Sequence, residues 1–284
     1  MDGQRGAAKA ADGHELAVTR FAARGPAFAT VVLAGAMGVR QDFYAPLAAF
    51  LADNGVHVLT FDYRGMGWSR PATLRGFDAD VSLWAERDLE AMLREAQGAA
   101  PNLPLCLLGH SLGGQALGVV PGNAQVRAAV TVTAGSGYYR FNDRIPVQVR
   151  LLWFVFIPLL TPVFGYFPGK RLRVVGDLPR GVAWQWRKWC LHPDYIAGES
   201  PAYREAFLRV KAPILSFSFE DDELITKPAI DSLHGFYRAA AVERRHITPA
   251  DRGRDRIGHF GFFSERSRDT FWNETLAWLR ARVA

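Results

Sequence analysis

Between an apolar run, Leu103-Pro104-Leu105-Cys106-Leu107-Leu108, and a helix-like stretch, the chain carries Gly109-His110-Ser111-Leu112-Gly113-Gly114. This segment fits G-x-S-x-G. A buried strand running straight into a glycine-bracketed serine, then into a helix, makes a nucleophile elbow. Such a turn holds the serine in a strained backbone conformation and exposes its hydroxyl at the strand end. Gly109 and Gly113 stand two residues either side, where strand and helix pass too close for side chains. The helix that follows aims free N–H groups and its positive dipole end at the serine. An ordinary Gly-Ser turn satisfies a lone G-x-S-x-G equally well. The strand before it and the partners described below favour the elbow.

The rest of the chain alternates strand-like and helix-like segments, which predicts an α/β architecture with a mainly parallel sheet. His14–Phe21 alternates like an edge strand, Thr30–Ala34 is a short buried strand, and Val56–Asp62 is the next. Helical spacing covers Tyr44–Asn54 and Val81–Gln97, the latter with Leu83, Trp84, Leu89, Met92 and Leu93 at three- and four-residue intervals. Gln115–Val120 continues the helix after the elbow, and Val126–Thr133 is another β-branched run. Alternation lapses from Tyr138 to about Arg204 and resumes at Ala212–Phe219. A helix over Pro228–Ala240, a strand over Glu243–Ile247 and a helix over Glu265–Ala281 finish the chain. An interruption of roughly 65 residues reads as an inserted cap, because structureless loops of that length are uncommon.

With 284 residues, 49% of them hydrophobic, the chain has ample material for a large core. Its net charge of +6 comes from 29 Arg and 5 Lys scattered among acids. No basic stripe marks a nucleic-acid surface, so none is expected. Two cysteines, Cys106 and Cys190, cannot build a disulfide framework, and Cys106 reads as a core residue. Met1–Ala10 lacks the apolar region of a signal peptide, so cytoplasmic residence is the default expectation. Val147–Phe167 is densely apolar but carries Pro158 and Pro162. Prolines at this spacing predict a short kinked helix pair in a lid over an apolar substrate, with no stable membrane insertion and with transient contact with a lipid surface left open. No Cys/His cluster has zinc spacing and no acidic cluster has an EF-hand pattern, so neither metal nor cofactor is expected. Gly35-Ala36-Met37-Gly38 is followed by no Gly-Lys-Ser/Thr and is not a phosphate loop.

With elbow, strands and order in place, the chain resembles the α/β-hydrolase superfamily over nearly its whole length. Asp62-Tyr63-Arg64-Gly65-Met66-Gly67-Trp68-Ser69 is similar to the D-x-R-G-x-G-x-S loop of that superfamily. The chain is most similar to the serine aminopeptidase and monoacylglycerol-lipase branch, and to bacterial hydrolases carrying GHFGFF, here Gly258–Phe263. The resemblance implies a mostly parallel, eight-stranded-type sheet flanked by helices. The core would comprise residues 1–137 and 205–284, and an inserted helical cap residues 138–204.

A serine hydroxyl needs a base within reach and a third group to orient that base. In this superfamily the chain order is Ser, acid, His. His259, in a Gly-flanked loop after the last strand, takes the base position. His14 and His57 fall in early strands, His192 in the cap, His234 in a helix and His246 in a strand. His110 adjoins Ser111 but by strand alternation points the other way. The acid follows Ile214–Phe219, in Glu220-Asp221-Asp222-Glu223. Asp222 fits the family's loop, with Thr226 where proline is common and Asp221 as the alternate; the remaining acids read as solvated. An oxyanion hole needs two backbone N–H groups. Leu112 supplies one, and by the family's register Ala36 supplies the other, with Met37 as runner-up; the Gly35–Gly38 loop also fits a plain turn.

Trp153, Trp184, Trp186 and Trp189 either line an acyl pocket or pack the cap, and packing is expected for most. Together these features predict a serine hydrolase acting on an ester, thioester or amide of a small acyl substrate with an apolar portion. Carboxylesterase or lipase-like action is favoured. An acyltransferase with the same residues, and a non-catalytic ligand-binding member of the fold, are the alternatives. No pattern in the sequence speaks to oligomeric state.

Overall fold

The buried runs Thr30–Ala34 and Leu105–Leu108 lie side by side, in parallel register, at the centre of an eight-stranded sheet. The structure is a computed structural model that describes residues 3–283. Strands β1 (Gln4–Lys9), β2 (Glu15–Phe21), β3 (Ala29–Ala34), β4 (Val56–Phe61), β5 (Leu105–His110), β6 (Ala128–Val132), β7 (Ile214–Phe219) and β8 (Val242–Ile247) make it up. Their order across the sheet is β1-β2-β4-β3-β5-β6-β7-β8, antiparallel at β1–β2 and β2–β4 and parallel elsewhere. The expected edge strand β2 is therefore interior. The true edge, β1, has the sequence QRGAAK and is mostly exposed, so no apolar alternation announced it.

A parallel sheet must bury both faces. On one side Leu47 and Leu51 of α1 (Ala45–Asp53) pack with Phe271, Trp272 and Leu276 from the C-terminal helical segment. On the other side Trp84, Leu89 and Met92 of α2 (81–99) pack with Leu117 and Leu233. Helix α2 starts at Asp80, whose carboxylate accepts the Leu83 N–H at 2.7 Å, and is π-helical over Trp84–Leu89. The helix after the elbow, α3, spans only Leu112–Ala116 rather than continuing to Val120. Pro121 follows, and the residue before a proline is pushed out of the helical region.

Between β6 and β7 the chain leaves the sheet. It forms α4 (Pro146–Phe164), a two-stranded ribbon of Tyr166–Phe167 with Leu178–Pro179, α5 (Arg180–Cys190) and α6 (Pro201–Arg209). Helix α7 (Lys227–His234) links β7 to β8, and α8 (Asn273–Val283) ends the described chain.

The expected kinked pair over Val147–Phe167 is instead one 19-residue helix, α4, π-helical over Leu152–Phe156. The wide turn explains how it tolerates proline. The Ile157 N–H donates back to the Leu152 carbonyl, so the next carbonyl, that of Trp153, would look to residue 158 for a donor. Pro158 has none. Arg187 Nε donates to the Trp153 oxygen instead, at 2.6 Å.

Candidate active site

Ser111 occupies a position no ordinary residue chooses, with φ 50° and ψ −113°. Its N–H donates to the Val132 carbonyl at 2.9 Å, and its own carbonyl accepts from Gly114 and Gln115. A Cβ at Gly113 would sit 2.1 Å from the Ala34 oxygen, and one at Gly109 would sit 2.4 Å from Gly114. Strand β3, strand β5 and helix α3 therefore meet only through glycine, and the close approach holds the serine at the sheet's rim. Since α3 is so short, what it offers is its unpaired N–H groups more than a macrodipole.

Ser111 and His259 line one cavity of about 600 Å³. His259 Nδ1–H donates to Asp222 Oδ2 at 2.8 Å, with both side chains buried. That leaves Nε2 as the free ring nitrogen. Asp222 Oδ1 accepts the N–H groups of Leu224 and Ile225, at 2.8 and 3.0 Å, which fixes the carboxylate as well as the ring. Of the two candidate acids, Asp222 is thus the one on the imidazole. Asp221 works elsewhere, and its Oδ2 accepts the N–H groups of Ile257 and Gly258, at 2.8 and 3.0 Å. It tethers the turn in front of His259, where Gly258 has φ +60°. The other two acids are paired as well, Glu220 with His246 and Arg144, and Glu223 with Arg256. Thr226, standing where proline is common, uses its hydroxyl to hold the Phe141 carbonyl at 2.7 Å.

The expected oxyanion donor Ala36 is occupied. Its N–H donates to Tyr44 Oη at 2.8 Å. The N–H groups of Met37 and Leu112 donate to no group among the described residues, and both residues line the cavity. Met37 is the first central residue of a turn closed by Val39 N–H on the Ala36 carbonyl, at 3.2 Å. Gly38 is its second, at φ +78°, which makes the turn type II. The Ala36 N–H is taken by Tyr44, a buried phenol eight residues away that no short-range pattern connects to the loop, and the runner-up Met37 keeps its N–H toward the cavity.

The Asp62–Ser69 loop stands behind this turn as a scaffold. Asp62 accepts the N–H groups of Gln41 and Trp68, each at 2.9 Å. A Cβ at Gly67 would lie 2.2 Å from the Asp62 carboxylate, so glycine is required there. Arg64 binds buried Asp88 and half-exposed Asp12, each at 2.7 Å.

The remaining cavity wall comes mostly from the segment between β6 and β7, with Tyr138, Leu151, Trp153, Phe156 and Trp186 among its residues. Trp153 and Trp186 meet edge-on at 4.6 Å between ring centres. Trp184 and Trp189 do not reach the cavity, in line with packing roles. Cys190 lines the wall as a free thiol, pushed well up by burial. Cys106 is likewise free and buried in the core. No Asp, Glu, Lys or Arg is among the described residues lining the cavity.

Comparison with known proteins agrees with this architecture. Residues 25–153 match the family model described as serine aminopeptidase, S33. No curated protein matches the chain in sequence. Among solved structures, the soluble variant of monoglyceride lipase from Saccharomyces cerevisiae superposes with a TM-score of 0.69 at 15% identity, covering 100% of this chain and 97% of that one. A thermostable carboxyl esterase from Bacillus coagulans gives 0.67 at 13% identity, with 100% of both chains covered. The esterase domain of a Rhodothermus marinus protein gives 0.62 at 18%, again with 100% of both covered. With this sheet order, this elbow and these likenesses, the chain has the fold of the α/β-hydrolases.

Proposed function

We propose that the protein is a serine hydrolase that cleaves a carboxylic ester of a substrate with a sizeable apolar portion. The observation that carries this reading is that strained Ser111 shares a cavity with a histidine whose Nδ1 is bound by a buried carboxylate. In this mechanism Ser111 Oγ attacks the ester carbonyl carbon and passes its proton to His259 Nε2. Asp222 holds the ring and stabilises the imidazolium that forms. The oxyanion rests on the N–H groups of Met37 and Leu112. His259 returns the proton to the leaving alcohol as the C–O bond breaks. Water then gives a proton to His259, attacks the acyl-enzyme and releases the acid and Ser111.

The choice of substrate class follows from the cavity. About 600 Å³ of mostly apolar wall suits a long acyl or alkyl chain. An aminopeptidase needs a carboxylate to bind the substrate's α-ammonium group. The lining contains no acidic side chain, which favours esters over N-terminal peptides even though the matched family is named for the latter. The segment over residues 138–204 serves as the lid of this cavity.

A fluorophosphonate probe tests the reading directly. It should label the folded protein and fail to label Ser111→Ala. A chain-length series of chromogenic esters should then show kcat/KM rising with acyl length. Absent labelling, or labelling that survives Ser111→Ala, overturns the proposal.

A further inference from the structure

Among the described residues the outer face of α4 is largely uncovered, with Phe154 edge-on to the Tyr139 ring at its side. Val147, Leu151, Phe154, Leu159 and Val163 are 64%, 40%, 49%, 62% and 68% exposed. They recur at three- to five-residue steps and form one stripe along the helix. The five-residue step from Phe154 to Leu159 lies at the end of the π turn, which keeps the stripe in phase. The opposite face is packed: Leu152, Trp153, Ile157 and Thr161 are buried. Mean hydropathy is 1.8 for a helix only 22% buried, the reverse of an ordinary core helix. Contiguous apolar surface of this kind marks an interaction site.

The charges around the stripe decide its occupant. From residue 144 to residue 176 the chain holds Arg144, Arg150, Lys170, Arg171 and Arg173 and no acid. Among the described residues only Arg144 of these five pairs with a carboxylate. Arg171 lies over the Phe164 ring at 5.3 Å, which sets cationic charge at the C-terminal end of the apolar stripe. An apolar face bordered by uncompensated cations matches a surface that is itself apolar beneath and anionic above.

We propose that α4 is a docking helix that lies in the plane of an anionic lipid bilayer, with its outer stripe in the acyl boundary. A spanning arrangement would strip Trp153 from Trp186 and leave the cavity without a wall, so the helix lies on the membrane rather than through it. Leu151 and Val174, 40% and 49% exposed, also line the cavity. The docked face is therefore continuous with the cavity's rim, and an apolar substrate could pass from lipid to Ser111 without crossing water.

The test is vesicle flotation of the full chain, alongside Ser111→Ala so that binding is read apart from catalysis. The protein should float with phosphatidylcholine vesicles containing about a quarter phosphatidylglycerol and bind pure phosphatidylcholine more weakly. Leu159→Glu with Val163→Glu should lower the partition coefficient at least about tenfold, because both side chains point outward and neither lines the cavity. Lys170→Gln with Arg171→Gln should lower affinity for anionic vesicles about fivefold per charge and leave neutral vesicles unaffected. Hydrolysis of a short soluble ester should be unchanged in both variants. Three results overturn the proposal: no flotation with either vesicle, flotation indifferent to both double variants, or a wild-type dimer by light scattering that Leu159→Glu with Val163→Glu makes monomeric while vesicles bind nothing.

Discussion

His110 Nε2 lies 3.1 Å from the carbonyl oxygen of His259. A carbonyl only accepts, so Nε2 carries the proton. The neutral ring then offers Nδ1 as an acceptor, and Tyr44 Oη–H, 2.9 Å away, must donate to it. The Tyr44 oxygen in turn accepts from Ala36. Burial, and then the nearby His259 ring, hold His110 well below the usual imidazole range, so the neutral form is the one present. One chain of hydrogen bonds thus ties the Ala36–Val39 turn to the histidine loop from behind.

Tyr44→Phe removes the middle link. It leaves the Ala36 N–H and His110 Nδ1 buried without partners, each worth about 1–3 kcal/mol. The expected result is a stable but weakened fold, with kcat down about tenfold or more and KM little changed, because the lost contacts position groups and bind no substrate. Denaturant unfolding and steady-state ester hydrolysis check both halves. An unchanged kcat in a destabilised protein would reduce Tyr44 to packing.

The two neighbouring aspartates should separate cleanly. Asp222→Asn removes the charge that orients and stabilises the imidazolium, and kcat should fall by about three to four orders of magnitude. Asp221→Asn keeps an oxygen for the Ile257 and Gly258 N–H groups but makes both bonds weaker neutral ones. Its kcat should stay within about tenfold of wild type while the melting temperature falls. Comparable losses of kcat in the two variants would contradict the assignment.

These residues also mark how far the sequence could be read. The alternation of strands and the glycines around Ser111 are local signals, each set by sterics within a few residues, and they located the elbow and the parallel sheet. His259 and Asp222 were legible through their loops, although pattern alone could not separate Asp222 from Asp221. Only the backbone turn that presents Ile257 and Gly258 to Asp221 does so. Pattern alone could not choose between Ala36 and its runner-up Met37, because Tyr44, far off in the sequence, takes the Ala36 N–H. Strand β1 escaped because its pairing to β2 is carried by backbone bonds and its side chains are mostly exposed. Helix α4 was read as broken at its prolines, because the guanidinium that replaces the missing donor comes from residue 187.

Met37→Pro offers a direct test of the oxyanion donor. Proline is favoured at the first central position of a type II turn, where Met37 stands, so the turn should persist. The substitution deletes the N–H and also replaces a side chain that lines the cavity, so Met37→Ala, which keeps the N–H, is the control. Loss of one such donor costs about two to three orders of magnitude in kcat. The variant should fold, as judged by circular dichroism and melting, still react with a fluorophosphonate, though more slowly, and turn over esters at that reduced rate. Full activity in a folded Met37→Pro protein would return the role to another group.

His234 should make a contribution to stability that is lost in mild acid. This residue is buried in α7, with Thr131 Oγ1 at 3.0 Å from Nε2 and the Ile230 carbonyl at 2.9 Å from Nδ1. Nδ1–H donates to the carbonyl and Nε2 accepts from the hydroxyl, so the neutral ring is fully satisfied and a second proton has no acceptor. Burial holds its pKa down to about 4, from the ordinary 6.5. The sign follows: below pH 6.5 the unfolded chain takes up a proton that the folded one refuses, so stability falls from there down to about pH 4. The full effect is on the order of 3 kcal/mol. Asp88 opposes it, since burial raises its folded pKa to about 6 and protonation there favours the fold. The measurement must therefore be a difference. His234→Gln should be less stable than wild type at pH 8, and the gap should narrow steadily as urea unfolding is repeated toward pH 4.5. A gap that stays constant across that range would show that His234 is not the group responsible.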